Sequence, residues 1–333
     1  MKVLSAVLLV VMSGALTACS TDDVREKGNK IQLAGFTRAG DDPVTVVTSD
    51  YSPVRLYFVS SGNDVISGNF SYVESIWKSN IENVTSGDYA VYGYAPATAA
   101  TATLSEVTPA SANLTLANVA AVTANDVCVV IGVQTGNAST PKAVWTNWQG
   151  NLMFNAAPEN YLYVLMDHVL SAVRFEMTLD AEYAKLRSIK LKKMELQSTK
   201  GSLNITMKLT SNDSKTSPIS DFAYGSLTET ETGSRAVFFE DATGVALNAT
   251  EYTAATCCFA PGASNDLSLT TTYDVYDHHG NYIGERTATN KLPNLSATRG
   301  QRVKLKLTIT PTYLNVLSDP DADYDDPTIK IEK

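Results

Sequence analysis

The chain has 333 residues, of which 44% are hydrophobic, so it is long enough to bury one large core or two ordinary ones. Acidic side chains outnumber basic ones by 35 to 26, and the formal net charge is −9. This balance argues against nucleic acid as a partner, because binding to a phosphate backbone needs clustered lysine and arginine.

The first eighteen residues predict a lipoprotein signal peptide. Lys2 supplies a positive start, and the apolar run that follows is too short to cross a bilayer comfortably. The run ends in Leu-Thr-Ala-Cys, which resembles a bacterial lipobox and implies cleavage between Ala18 and Cys19, with acylation (palmitate) on Cys19. A simple secretory signal is the alternative. No later segment has the length and hydropathy of a membrane helix, so we expect the mature chain to be anchored to the outer membrane by its lipid.

Residues 19–38 form the lipidated leader, and a short strand-like run interrupts its polar character. The apolar residues of that run are Ile31, Leu33 and Phe36. The run stops at Thr37 and Arg38. A polar tether has no physical need for a strand or for an arginine directly after it.

Strand signals dominate the rest of the chain. Runs rich in β-branched and aromatic residues, bounded by turn residues, occupy positions 43–49, 54–60, 88–96, 112–119, 126–133, 159–166, 171–179, 188–198, 201–209, 234–240, 254–261, 267–277 and 302–314. Residues 277–281, with His278 and His279, predict a hairpin loop, and only residues 180–188 carry a helical turn. Many short strands separated by turn signals predict β-sandwiches.

The number of strands exceeds that of one ordinary sandwich, so we predict an all-β chain of two tandem β-sandwich domains. A change of pattern near residues 150–160 places the domains at 39–157 and 158–333. The Ala/Thr-rich segment 97–112 and the Ser/Asn/Asp-rich segment 211–221 are predicted to be exposed loops.

The remaining cysteines and the histidines do not form a recognisable metal site. Cys128, Cys257 and Cys258 lack the spacing of zinc or redox motifs, and we expect buried thiols, with a bridge from Cys128 to one of the adjacent pair as the alternative. His168 begins a strongly apolar stretch, which favours a histidine at the edge of the core that is satisfied by backbone groups. We therefore expect no metal and no cofactor.

No catalytic motif is present, so the chain is predicted not to be an enzyme. The acidic run 319–326 is interpreted as an extended linker, with a weak calcium site as the alternative. Trp145 and Trp148 could stack on sugar rings, but such residues more often pin a loop onto a core. After the linker, Ile329 and Ile331 share one face of a short terminal strand that could pair with its own sheet or with another copy.

Three local phrases resemble the fimbrillins, the type V pilins of Bacteroidetes. They lie at residues 75–96, 114–132 and 167–196, and they include a tryptophan segment before a Tyr-rich strand that ends in Pro96. The resemblance covers most of the chain and implies transthyretin-like sandwiches. It also implies a subunit that travels from the outer membrane and cell surface into a fimbrium that supports adhesion and biofilm.

The resemblance further implies how such a subunit is assembled. An arginine-specific protease would cut between Arg38 and Ala39 and remove the anchor together with the strand that contains Ile31, Leu33 and Phe36. A terminal strand of another copy or of a related pilin would fill the groove, and position and pattern suggest Ile329 and Ile331 for this role. Arg25 precedes the strand, so a cut there would open no groove. An anchor or tip subunit and a surface glycan-binding lipoprotein are the alternatives.

Overall fold

The computed structural model describes residues 31–38, 51–82, 84–136, 150–212, 216–261, 266–293 and 295–310. In these ranges the chain is built of β-strands, with a 3-10 turn at Tyr183–Lys185 in the segment for which a helical turn is predicted. None of the described residues forms a helix with the length and apolar character needed to cross a membrane. The predicted all-β class is confirmed.

The strands up to residue 156 are β1 (Gln32–Arg38), β2 (Val54–Ser60), β3 (Val65–Val73), β4 (Ile76–Ser79), β5 (Gly87–Ala95), β6 (Thr101–Ser105), β7 (Ser111–Ala120), β8 (Val122–Thr123), β9 (Cys128–Gly136) and β10 (Met153–Ala156). The later strands are β11 (Tyr161–His168), β12 (Ser171–Leu179), β13 (Arg187–Lys200), β14 (Ser202–Thr210), β15 (Ile219–Tyr224), β16 (Glu229–Leu247), β17 (Thr253–Phe259), β18 (Ser268–Asp277), β19 (Tyr282–Lys291) and β20 (Arg302–Ile309).

Two sheets enclose the first hydrophobic core. The larger sheet has the order β1-β11-β9-β5-β2-β3-β4, with β10 paired to β5, and the smaller has the order β15-β14-β7-β6. Phe58 and Tyr92 of the larger sheet belong to the same fully buried cluster as Leu114 and Ile205 of the smaller one. In β7 and β14 of the smaller sheet, alternating buried residues turn one face toward this shared core, whereas β5 and β9 of the larger sheet are buried almost continuously.

Two four-stranded sheets enclose the second core. Their orders are β20-β12-β17-β8 and β16-β13-β18-β19. Phe175 and Phe259 from the first of these sheets are buried together with Leu191 and Leu269 from the second. The described part of the chain therefore contains two sandwich cores.

The two sandwiches interleave along the chain. β11, β14 and β15 follow residue 158 but lie in the first sandwich, whereas β8 precedes that residue and pairs with β17 in the second. The predicted division into 39–157 and 158–333 therefore does not follow the division of the sheets. Sheet partners are selected by contacts distant in sequence, which a local change of pattern does not report.

Two segments predicted as loops contain strands. β6 lies within residues 97–112, and β15 begins within residues 211–221. Ala and Thr give β6 little apolar area, so its sequence carries only a weak strand signal. Leu104 nevertheless lies opposite Leu114, and this pairing holds β6 against β7. The loop prediction is wrong for these parts of the two segments.

The predicted hairpin at residues 277–281 joins β18 to β19. Asp277 organises its turn by accepting hydrogen bonds from the backbone N–H groups of His279 (2.9 Å) and Asn281 (2.7 Å) and from Nδ2 of Asn281 (2.8 Å). The side-chain hydrogen bond from Asn281 holds the pKa of the Asp277 carboxyl below its usual range.

Candidate strand-exchange edge

The first strand of the fold lies at one edge of the eight-stranded sheet. β1 pairs in parallel with β11, from Gln32 opposite Tyr161 to Arg38 opposite Met166. β11 is antiparallel to β9 over its full length. Among the described strands, none pairs with the other edge of β1. The strand predicted from the sequence is present, and it continues two residues past Phe36.

Two side chains of this segment belong to the first core. Ile31 is 4% exposed and Leu33 is 5% exposed. Leu33 lies opposite Leu162, and a register shift after Leu33 brings Phe36 opposite Val164. The side chains of Leu162 and Val164 are themselves buried. The segment therefore contributes buried side chains to the first hydrophobic core and is not a simple polar tether.

β1 also approaches the far end of the same sheet. Its Cα atoms come within 8 Å of those of β4, the last strand in the sheet order. The sheet thus curls until its two terminal strands are neighbours. Trp77 of β4 packs against the core, with its ring centroid 5.1 Å from that of Tyr72. Removal of β1 would open a groove between β11 and β4.

β11 is held in place by bonds that do not involve β1. At its end, Arg299 Nη1 lies 2.9 Å from Asp167 Oδ2 and donates a hydrogen bond to the carbonyl oxygen of His168 at 3.2 Å. The Tyr224 hydroxyl donates to the carbonyl oxygen of Val169 at 2.6 Å. A tyrosine hydroxyl keeps its proton at neutral pH, and burial raises the pKa of Tyr224 still further. The end of β11 is therefore held by contacts that do not depend on β1.

Several predicted site residues lie outside the described residues. They are Ala18, Cys19, Ala39, Trp145, Trp148, Ile329 and Ile331, together with the acidic run 319–326. For Phe36 and Arg38 the structure gives the backbone register within β1. The structure therefore describes β1 and its partner β11, whereas the proposed terminal segment and the residue that follows Arg38 lie outside the described residues.

A second group of side chains was not predicted. Asp126, Cys128 and His168 lie together because His168 is paired with Cys128 across β11 and β9. The prediction that backbone groups satisfy the His168 side chain is wrong at Nδ1, since this atom contacts the side-chain carboxylate oxygen Oδ2 of Asp126. The only local signal was an aspartate two residues before a cysteine, and the histidine lies forty residues further on.

Cys128, Cys257 and Cys258 are all buried thiols, and burial raises the pKa of Cys257 to about 12.

Over the described residues, the fold and this edge define a class, an all-β chain with two sandwich cores whose first described strand lies at the edge of a sheet. No protein-family model and no curated protein matches the sequence. Solved structures to which it is similar include a fimbrial protein from Bacteroides vulgatus, with 14% identity, 84% of this chain and 95% of that chain covered, and a TM-score of 0.40. A candidate cell adhesion protein from Bacteroides fragilis has 10% identity, coverage of 85% and 94%, and a TM-score of 0.44.

A third similar structure is the fimbrial anchor protein Mfa2 from Porphyromonas gingivalis, with 8% identity, coverage of 76% of this chain and 79% of that chain, and a TM-score of 0.27. These three structures are of fimbrial and adhesion proteins from Bacteroides and Porphyromonas species.

Proposed function

We propose that this chain is a fimbrial shaft subunit, a structural pilin that is exported as a lipoprotein and polymerises by donor-strand exchange. The observation that carries the proposal is the position of β1, an edge strand that ends at Arg38 and that, with Ile31 directly before it, adds two buried side chains to the core. Cleavage after Arg38 would release this strand and uncover the edge of β11. A terminal strand from a neighbouring copy would then take its place.

The energetic consequence of losing β1 supports this order of events. Full burial of a leucine or isoleucine side chain contributes roughly 1.5–3 kcal/mol, so exposing the sites of Ile31 and Leu33 would cost about 3–6 kcal/mol. The backbone groups of β11 that pair with β1 would lose their partners at the same time. An incoming strand recovers both contributions, and the intact β1 prevents assembly before cleavage.

The terminal segment has the spacing that the vacated positions require. Ile31 and Leu33 are separated by one residue, and so are Ile329 and Ile331 near the end of the sequence. Lys330 lies between the two isoleucines and would face away from the core in an extended strand. The acidic run before them would act as an extended spacer that reaches a neighbouring subunit.

The leader would place the subunit at the cell surface before assembly. Acylation of Cys19 after cleavage from Ala18 would anchor it in the outer membrane, and the cut at Arg38 would separate the sandwiches from the lipid. Its partners would then be an arginine-specific protease and other copies or related pilins.

Digestion of the folded, exported chain with an arginine-specific protease tests the proposal. We expect a single early cut, a new N-terminus at Ala39, and a ladder of oligomers on native size analysis. The variant Arg38→Lys should remain uncut and monomeric, whereas the control Arg25→Lys should behave as the wild type. A cut chain that stays monomeric, or a chain that resists cleavage at Arg38, would instead indicate an anchor subunit or a surface lipoprotein.

The donor strand is tested on the same cleaved material. Ile329→Asp combined with Ile331→Asp should abolish the ladder, since two carboxylates would be forced into apolar positions. Lys330→Asp introduces a carboxylate on the opposite face of the same segment and should leave the ladder intact. Equal loss of oligomers in both variants would argue against the isoleucines as the inserted side chains.

A further inference from the structure

A Cys–Asp–His cluster lies where β9 begins and β11 ends. Cys128 is the first residue of β9 and is paired with His168, the last residue of β11. Asp126 lies two residues before Cys128, so both side chains project to the same side of an extended chain. The N–H group of Val169 donates to the carbonyl oxygen of Val127 at 2.9 Å and continues the pairing beyond the two strands. The backbone register alone therefore brings a thiol, a carboxylate and an imidazole together.

The three potential ligand atoms lie within 4.8 Å of one another. Cys128 Sγ is 3.4 Å from Asp126 Oδ2 and 4.0 Å from His168 Nδ1, and Asp126 Oδ2 is in direct contact with His168 Nδ1. Around a tetrahedral zinc ion, ligand atoms of these types lie about 3.3–3.7 Å apart, as follows from zinc–ligand bonds of about 2.0–2.3 Å. Two of the separations are near this range, and the carboxylate and imidazole would move apart to admit the ion.

We propose that Asp126, Cys128 and His168 bind a zinc ion. Sulfur, nitrogen and oxygen donors together suit Zn²⁺, which accepts all three and prefers four-coordinate geometry. The Cys128 thiol gives its proton to solvent, His168 binds as a neutral imidazole through Nδ1, and the two anionic ligands balance the charge of the ion. Because three protein ligands are present, water takes the fourth position.

The surroundings of the cluster leave a route by which an ion could enter and provide hydrogen bonds that hold the proposed ligand residues. The side chains of His168 and Asp126 are 16% and 11% exposed, so the ion can enter from their side while Cys128 lies beneath, in the core. The Tyr51 hydroxyl donates to Asp126 Oδ2 at 3.0 Å, and Arg299 donates to the carbonyl oxygen of His168. The Tyr51 contact would orient a ligand group directly, whereas the Arg299 contact holds the backbone of His168.

The consequence for the fold is a crosslink between β9 and β11. Arg38 lies opposite Met166, two residues before His168, so the ion would join the two strands near the end of the sheet where β1 stops. The proposal does not depend on donor-strand exchange, since the ligands come from strands that stay in the sandwich.

The test uses the full exported chain after treatment with a chelator. Equilibrium dialysis against Zn²⁺ followed by elemental analysis should give one zinc ion per chain, with a raised thermal midpoint. Co²⁺ in place of zinc should produce a thiolate-to-cobalt charge-transfer band in the near ultraviolet. Cys128→Ser should remove that band, and His168→Gln should weaken zinc binding by at least about tenfold.

Matched controls separate ligand loss from general damage. Cys257→Ser removes another buried thiol, and His279→Gln removes a histidine in the β18–β19 loop; both should retain the zinc stoichiometry and the cobalt band. Should the variants at positions 128 or 168 fail to fold, the wild-type cobalt spectrum decides the question. Substoichiometric zinc, a cobalt spectrum without thiolate character, or binding of Cu²⁺ but not of Zn²⁺ would overturn the proposal and leave a hydrogen-bonded cluster only.

Discussion

Leu33 of β1 lies directly opposite Leu162 of β11, and both side chains are buried, with 5% and 0% of their surface exposed. In a parallel pair, residues in register point to the same side of the sheet, so the two leucines face one core. β1 is therefore a structural element of the uncut chain, and its loss would expose apolar surface along β11.

Leu33→Ala should lower the free energy of unfolding of the uncut chain by about 2–5 kcal/mol, because it leaves a cavity between β1 and the first core. Urea denaturation followed by tryptophan fluorescence measures the change. Val65→Ala truncates a side chain that is 46% exposed on β3 and should cost less than about 1 kcal/mol. Similar effects of the two substitutions would show that β1 contributes little to the core.

Arg299→Ala should destabilise the chain by about 1.5–3 kcal/mol. The guanidinium group lies 2.9 Å from the Asp167 carboxylate, donates to the carbonyl oxygen of His168, and lies 5.1 Å from the centre of the Phe222 ring. Hydrogen bonds that involve a charged group contribute more than neutral ones, and these are partly shielded from water. The measurement is urea denaturation of the uncut chain at neutral pH.

The control for this substitution is an exposed ion pair. Lys78 and Glu74 are 2.9 Å apart on the surface, and Lys78→Ala should change the free energy of unfolding by at most about 1 kcal/mol. If Arg299→Ala were equally mild, the contacts that anchor β11 from the second sandwich would be dispensable.

The hairpin between β18 and β19 should make stability depend on acid pH. The Asn281 hydrogen bond lowers the pKa of Asp277, so the carboxylate stabilises the fold above its usual pKa of 3.8, and this contribution is lost as pH falls through the lowered value. Asp277→Ala should reduce the urea midpoint at neutral pH and differ less from the wild type near pH 3. Asn281→Ala should show the same trend with a smaller effect. A constant difference across this pH range would contradict the assignment.

Strands with continuous or alternating apolar patterns were predictable from sequence. Residues 54–60 and 171–179 coincide with β2 and β12, because their side chains fill the two cores and local pattern reports burial. β19 gives no strand pattern of its own and was implied only by the predicted hairpin loop at residues 277–281, since it is mostly exposed and polar and is defined by its pairing with β18. Such edge strands owe their conformation to a neighbour and not to their own composition.

The candidate site likewise contains residues that the sequence predicted and contacts that it did not. Ile31 and Leu33 were predicted as parts of a strand from their own spacing, and both are buried. The parallel pairing of β1 with β11 was not predictable, because the partner begins at Tyr161, far along the chain. The cluster around Cys128 was invisible for the same reason, since register across two strands assembles it.

Hydrogen–deuterium exchange of peptides from Tyr161–His168 tests the central claim most directly. Amides of β11 that bond to β1 should be protected in the uncut chain, become exposed in the cleaved monomer, and be protected again in oligomers. The variant with Ile329→Asp and Ile331→Asp should stay exposed after cleavage. Unchanged protection after release of β1, or oligomers in which β11 remains exposed, would contradict strand exchange at this edge.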